Sequence, residues 1–179
     1  GLIAFFSRSL NWTAFRDSIL QTATGTGMIF FIILGAGFYN GFLALTQVPQ
    51  ELSSWVTMQG FSPWTVMVLI LVFYLILGCL MDSLSMILLT IPIFWPVVSA
   101  LDFGMTTEEV AIWFGIMVLV VVEVGLITPP VGMNLFIINS MDKETPMPAT
   151  YKAVLFFVGS DVLRVILLLM FPAITLVFI

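Results

Sequence analysis

The chain has 179 residues, of which 61% are hydrophobic and only 8% charged, and it carries a net charge of −5 without a single histidine. With a mean hydropathy of +1.19, it has too little polar surface to cover a soluble globule, and the reading is an all-α polytopic membrane protein. Five scattered Lys and Arg cannot build a phosphate-binding face, which argues against nucleic acid as a partner. The lone cysteine, Cys79, excludes an internal disulfide and a cysteine zinc site, and reads as a small core residue.

In chain order, GLIAFFSRSLNW shows no signal-peptide pattern, and Gly1 reads as the cut end of a longer chain whose preceding membrane helix finishes near Phe6. SLNWTAFRDSILQTATG alternates apolar residues with Arg16 and Asp17, as an interfacial helix does. A membrane helix is expected over about 19–45, with Gly37 and Gly41 as a face for close helix packing. VPQELSSWVTMQG is too short and polar to span, so 49–60 is expected to lie along the headgroups, with Leu52, Trp55 and Val56 on one face.

Ser62 and Pro63 then start a helix as cap and first residue. The next stretch is apolar for nearly 40 residues except at MDSLS. A single helix of that length would reach roughly 55 Å, beyond the whole bilayer, so helices over 63–81 and 84–100 must turn back on one another around Asp82. A re-entrant hairpin fits better than two full spans. MDSLS makes a poor headgroup loop, and Pro92 and Pro96 weaken the second arm as a straight span.

DFGMTTEE is a polar loop, and Thr106 with Glu109 forms a capping box for a helix running to about Gly125. EVGLITPPVGMN follows, then a short helix over 133–141, the loop DKETPMPATYK, and a closing helix over 153–178. If the hairpin arms return to one side, Arg8, Arg16, Lys143 and Lys152 all share a face, which the positive-inside rule makes cytoplasmic.

Polar groups at membrane depth need a partner or a purpose. Asp161 and Arg164, three apart, are expected to pair structurally. At Pro129 and Pro130 two amide donors are missing, so carbonyls near Gly125, Leu126 and Ile127 lose their helical partners, while Gly125 and Gly132 allow unusual angles and close approach. The hairpin repeats the pattern: carbonyls at Gly78, Cys79 and Leu80 point at the tip, and Asp82 or Ser83 can cap the returning helix. Two such breaks supply helix C-termini suited to Na⁺ and N-termini suited to a carboxylate. Simple kinking by the prolines and simple capping by Asp82 stand as the alternative, and the role of Glu123 stays open.

GLITPPVGMNLF, together with TGMIFFIILGA, LGCLMDSLSMILLTIPIFWPV and the closing FPAITL, resembles in the same order the large membrane subunit of tripartite ATP-independent periplasmic (TRAP) transporters. The resemblance covers essentially the whole chain and matches the C-terminal half of that subunit. It implies a bacterial inner-membrane symporter that uses Na⁺ to import organic acids such as C4-dicarboxylates or sialic acid. Implied partners are the N-terminal half of the same subunit, a small membrane subunit and a periplasmic solute-binding protein. The implied fold is one of two inverted repeats, with scaffold helices over about 19–45 and 153–178. The transport-domain hairpin would cover about 63–101 and the broken helix about 107–141, working as an elevator.

Carried onto this sequence, Na⁺ would be held by Gly78, Asp82, Ser83, Gly125, Ile127, Thr128 and Met133. Substrate would meet Ser83, Ser85, Pro129, Pro130, Gly132 and Asn134. No other cofactor is implied. The family often has MDPIA where this chain has MDSLS, and no histidine or free arginine here looks like a carboxylate clamp. A passive channel and an intramembrane aspartyl hydrolase using Asp82 with Glu123 or Asp161 are the competing readings; the first lacks a repeated filter loop and the second a paired-acid motif.

Overall fold

The structure, a computed structural model, describes residues 11–141 and 145–177. Arg8, Lys143 and the helix end expected near Phe6 lie outside the described residues. All regular structure among the described residues is helical, and the chain divides into two compact units between Tyr39 and Asn40.

Among the described residues of the first unit the chain forms one helix. Helix α1 covers Trp12–Thr46, which corrects the expected pair of a separate interfacial helix and a span starting near residue 19. The amide of Ala14 donates to Asn11 Oδ1 at 2.7 Å, capping the helix at its start. Ser18, Thr22 and Thr24 then donate their hydroxyls back to the carbonyls of Ala14, Ser18 and Leu20, at 2.8, 2.7 and 2.9 Å. Those bonds satisfy the polar side chains within the helix, so the polar stretch gives no reason to break it. No atom lies within 4 Å of a Cβ built on Gly37 or Gly41, so the packing face expected there has no partner among the described residues.

The second unit begins at Asn40, within α1; past the end of that helix Gln47, at φ 54°, turns the chain into helix α2, Val48–Met58. Helices α3 (Pro63–Gly78) and α4 (Ser83–Ser99) follow, joined by a short turn. They lie side by side as a hairpin. Phe94 meets Phe73 and Tyr74 with ring centroids 5.4 and 5.5 Å apart, and the Thr90 hydroxyl lies 2.8 Å from that of Tyr74. Pro92 and Pro96 stand inside α4 without ending it. The carbonyl of Pro96, in the last turn, accepts the Ser53 hydroxyl of α2 at 2.9 Å, which ties α2 to the hairpin. Of the three residues expected on one face of α2, Leu52 and Val56 pack against the core, while Trp55 stays 55% exposed.

Helix α5 covers Thr107–Ile127 and opens with the full Thr106–Glu109 capping box. It is the core of the unit: Trp113, Phe114, Met117, Val118 and Val122 are essentially inaccessible. Helix α6 is Met133–Met141 and α7 is Met147–Met170. The closing helix therefore starts earlier than expected and stops at Phe171, because Pro172 cannot continue it; α8, Ala173–Leu176, follows. Pro172 also strips the Leu168 carbonyl of its helical donor, and the indole N–H of buried Trp113 supplies one at 3.1 Å. Asp161 and Arg164 pair at 3.0 Å on α7, as their spacing predicts.

Helices α1, α5 and α7 are each long and apolar enough to cross a membrane. At one end Trp64, Phe103 and Trp113 form an edge-to-face cluster with centroids 5.4 to 5.8 Å apart, next to the capped start of α5. Trp113→Phe keeps the ring but leaves the Leu168 carbonyl unpaired. A loss of about 1–3 kcal/mol in unfolding free energy is expected, measured by denaturant titration in detergent, with a larger loss for Trp113→Ala.

Candidate functional site

Helices α3 and α5 run parallel, from the Trp64–Trp113 ring contact near their starts to a glycine contact at their ends. There Gly78 and Gly125 touch backbone to backbone. A Cβ built on Gly125 would stand 2.7 Å from Gly78 Cα and 3.0 Å from the Leu75 carbonyl oxygen. One built on Gly78 would stand 3.0 Å from Gly125 Cα and 3.0 Å from the Val122 carbonyl oxygen. No residue but glycine permits this approach at both positions. Two helix C-termini, each bearing the partial negative charge of its last carbonyls, are thereby brought together.

On the hairpin side the amides of Leu80 and Met81 both donate to the Leu77 carbonyl at 2.9 Å. The Gly78 carbonyl receives no donor among the described residues. Asp82 starts the returning helix: its Oδ2 accepts the Ser85 amide at 2.9 Å and its carbonyl accepts that of Met86 at 3.1 Å. Of the two residues able to cap α4, the aspartate therefore does so.

On the α5 side the Thr128 amide folds back to the Gly125 carbonyl at 3.0 Å, and its hydroxyl donates to the Val124 carbonyl at 2.6 Å. Pro129 and Pro130, joined by a cis peptide, offer no N–H. The carbonyls of Leu126, Ile127, Thr128 and Pro129 have no hydrogen-bond donor among the described residues. Gly132, at φ 55°, then redirects the chain, and the Phe136 amide makes the first bond of α6 to the Gly132 carbonyl at 3.0 Å. The amides of Met133, Asn134 and Leu135 are left as the free first turn of a restarted helix.

Between these two ends lies a cleft of about 200 Å³, walled by Leu75, Cys79 and Leu80 of the hairpin and by Thr128, Pro129 and Pro130 of the break. Its walls are almost wholly apolar, and Thr128 is the polar side chain among them. A cavity of about 220 Å³ between α3, α5 and α7 has aliphatic walls, among them Val68, Val121 and Val165, and nothing to hold an ion.

Of the expected sodium ligands, Gly78 and Gly125 are in contact, and Ile127 and Thr128 follow directly in the chain. Asp82 is exposed and engaged in capping, Ser83 is the first residue of α4, and Met133 opens α6. Of the expected substrate residues, Pro129 and Pro130 line the cleft, whereas Ser83, Ser85, Gly132 and Asn134 do not. Glu123 lies exposed on the α5 stripe that also carries Ile112 and Leu119. Cys79, read from sequence as a small core residue, is buried, and it also lines the cleft. Tyr151 was missed altogether. Its hydroxyl donates to the carbonyls of Pro130 and Val131, at 3.0 and 2.9 Å, from α7. No local signal marks it, because its partners stand some twenty residues upstream.

The order of these parts can be set against known proteins. The family model described as "Tripartite ATP-independent periplasmic transporter, DctM component" matches residues 1–174. The chain belongs to the DctM family. It is 34% identical over 172 residues to the C4-dicarboxylate TRAP transporter large permease protein DctM of Pseudomonas aeruginosa, covering 96% of this chain and 39% of that protein. The sialic acid TRAP transporter large permease protein SiaM of Vibrio cholerae is 26% identical, over 94% of this chain and 38% of its own length. The isethionate TRAP transporter permease protein DctMQ of Oleidesulfovibrio alaskensis is 28% identical, over 79% of this chain and 22% of its own. The chain thus spans about two-fifths of the P. aeruginosa relative or less of the others. It is a multi-pass membrane protein of a transporter family, not an enzyme, which removes the hydrolase reading.

The DctM chain's glycine contact makes a graded prediction. Gly125→Ala forces α3 and α5 apart and is expected to cost about 1–3 kcal/mol or more of stability, with Gly78→Ala milder. Gly159→Ala, which meets nothing within 4 Å, should leave the thermal midpoint unchanged or slightly raised. Thermal unfolding of the purified variants in detergent checks the order.

Proposed function

We propose that this chain is the C-terminal half of the large subunit of a sodium-coupled secondary transporter that imports organic acids across a bacterial inner membrane. The observation that carries the reading is the contact of two helix ends at Gly78 and Gly125, with carbonyls at Gly78 and at 126–129 left without donors among the described residues and Thr128 and Pro129 lining the cleft that Cys79 also walls. Buried carbonyls without donors are costly, and a desolvated monovalent cation answers their charge without a protein donor. Thr128 adds a hydroxyl oxygen whose proton is already given to Val124. The free amides opening α6 and α4 are then available for a carboxylate, with Asn134, Ser83 and Ser85 near those starts.

Arms of 16 and 17 residues reach about 25 Å, short of a full crossing, which supports the re-entrant hairpin. We assign the hairpin and the broken helix to a moving body. Helix α7, expected from sequence in the scaffold, goes with them, because it is hydrogen-bonded to α5 at Trp113 and to the break at Tyr151. Helix α1 remains the scaffold candidate. The exposed stripe with Ile112, Leu119 and Glu123 is the face we assign to the N-terminal half of the subunit. A small membrane subunit and a periplasmic binding protein complete the assembly. C4-dicarboxylates and sialic acid are the substrate classes the relatives' names suggest.

The test is uptake into proteoliposomes containing the complete large subunit and its partners. Substrate accumulation should follow an imposed inward Na⁺ gradient, and accumulation indifferent to Na⁺ would sink the reading; ungated single-channel currents would favour a channel instead. Thr128→Ala should raise the Na⁺ needed for half-maximal uptake roughly 3- to 10-fold, on the scale of one lost hydrogen-bond-strength contact, and Thr128→Ser should restore it. An unchanged sodium dependence in the alanine variant removes Thr128 from the site.

A further inference from the structure

The carbonyls of the break divide into two groups. Those of Leu126, Ile127, Thr128 and Pro129 have no donor among the described residues, whereas those of Pro130 and Val131 share the hydroxyl of Tyr151. In an unbroken helix these last two oxygens would be taken by the amides of Asn134 and Leu135. Here the chain has turned at Gly132, and α6 begins its own bonding at the Gly132 carbonyl. A side chain from another helix therefore replaces two backbone donors, and it comes from the first turns of α7.

The neighbouring residue makes a second tie. Thr150 donates its hydroxyl to Asn139 Oδ1 at 2.7 Å, close to the far end of α6. A helix of nine residues is too short to hold its place by its own hydrogen bonding. It is tied near both ends to a single turn of α7, and α7 is in turn fixed to α5 by the Trp113–Leu168 bond. The restarted helix is thus splinted to the helix it broke away from, by way of α7.

We propose that Tyr151 is a positioning residue for the ion and substrate site: by holding the Pro130 and Val131 carbonyls it fixes where α6 restarts and leaves the carbonyls of 126–129 free for the cation. The inference rests on the sodium reading of the break. Tyrosine suits the task because one rigid ring carries one donor across the gap, where two carbonyl acceptors stand within 3.0 Å of its oxygen. Phenylalanine would keep the packing and lose only the donor.

The experiment is Tyr151→Phe in the complete reconstituted transporter, on protein that elutes as the wild-type assembly does. Amide exchange by mass spectrometry reads α6, and Na⁺-dependent uptake reads the site. Exchange over 133–141 should rise about 2- to 5-fold while that of α5 stays unchanged, on the scale of one lost hydrogen bond. The Na⁺ concentration for half-maximal uptake should rise by roughly 3-fold or more. Unchanged exchange over 133–141 overturns the inference whatever transport does. Faster exchange with sodium dependence unaltered leaves Tyr151 as an anchor of α6 alone and overturns its role in positioning the site, whereas wild-type uptake indifferent to Na⁺ overturns the sodium reading instead.

Discussion

Everything in the second unit depends on two glycines being small. Gly78 and Gly125 let α3 and α5 close until their backbones touch, and neither helix could end where it does if either residue carried a Cβ. Ordinarily two helix C-termini side by side repel, since each presents unsatisfied carbonyls. The contact is held instead by what lies behind it. Met67, Tyr74, Met117, Val118 and Val122 are packed to full burial along the shared length, and an aromatic cluster closes the far end. Apolar packing thus brings together two sets of dipoles that favour a positive charge between them.

The second constraint is the supply of donors. A helix normally satisfies its own carbonyls, and in a bilayer no water stands ready to replace a missing N–H. Besides Pro92 and Pro96 inside α4, this chain removes donors at Pro129, Pro130 and Pro172, and the carbonyls around these last sites are treated differently. At Pro172 the freed Leu168 carbonyl receives the Trp113 indole. Past Pro130, the carbonyls of Pro130 and Val131 receive Tyr151. Ahead of the proline pair, the carbonyls of 126–129 receive none. Two of these places are closed by a side chain from another helix, and the carbonyls ahead of the proline pair are left open.

Much of this was legible in the sequence because it is local. The capping box at Thr106 and Glu109, the restart at Met133, the Asp161–Arg164 pair and the hairpin turn are all written in residues a few positions apart. The break itself is announced by two adjacent prolines between glycines. What sequence could not give is set by distant partners. The approach of Gly78 to Gly125 and the reach of Tyr151 to Pro130 depend on how helices pack, so the place of Cys79 on the cleft wall and the role of Tyr151 went unnoticed. The start of α1 was misplaced for the opposite reason. Polarity suggested a separate interfacial helix, but hydroxyls that bond to their own helix let a polar stretch continue an apolar one.

The central claim is that the cleft at the glycine contact takes a sodium ion, and Cys79 is a reporter already in its wall. Its rate of modification by a small neutral thiol reagent can be followed in the reconstituted transporter by peptide-resolved mass spectrometry, at matched ionic strength in Na⁺ or in choline. An ion at the Gly78 and 126–129 carbonyls should close the cleft and slow the reaction several-fold in Na⁺ only. Equal rates in the two salts would contradict the account.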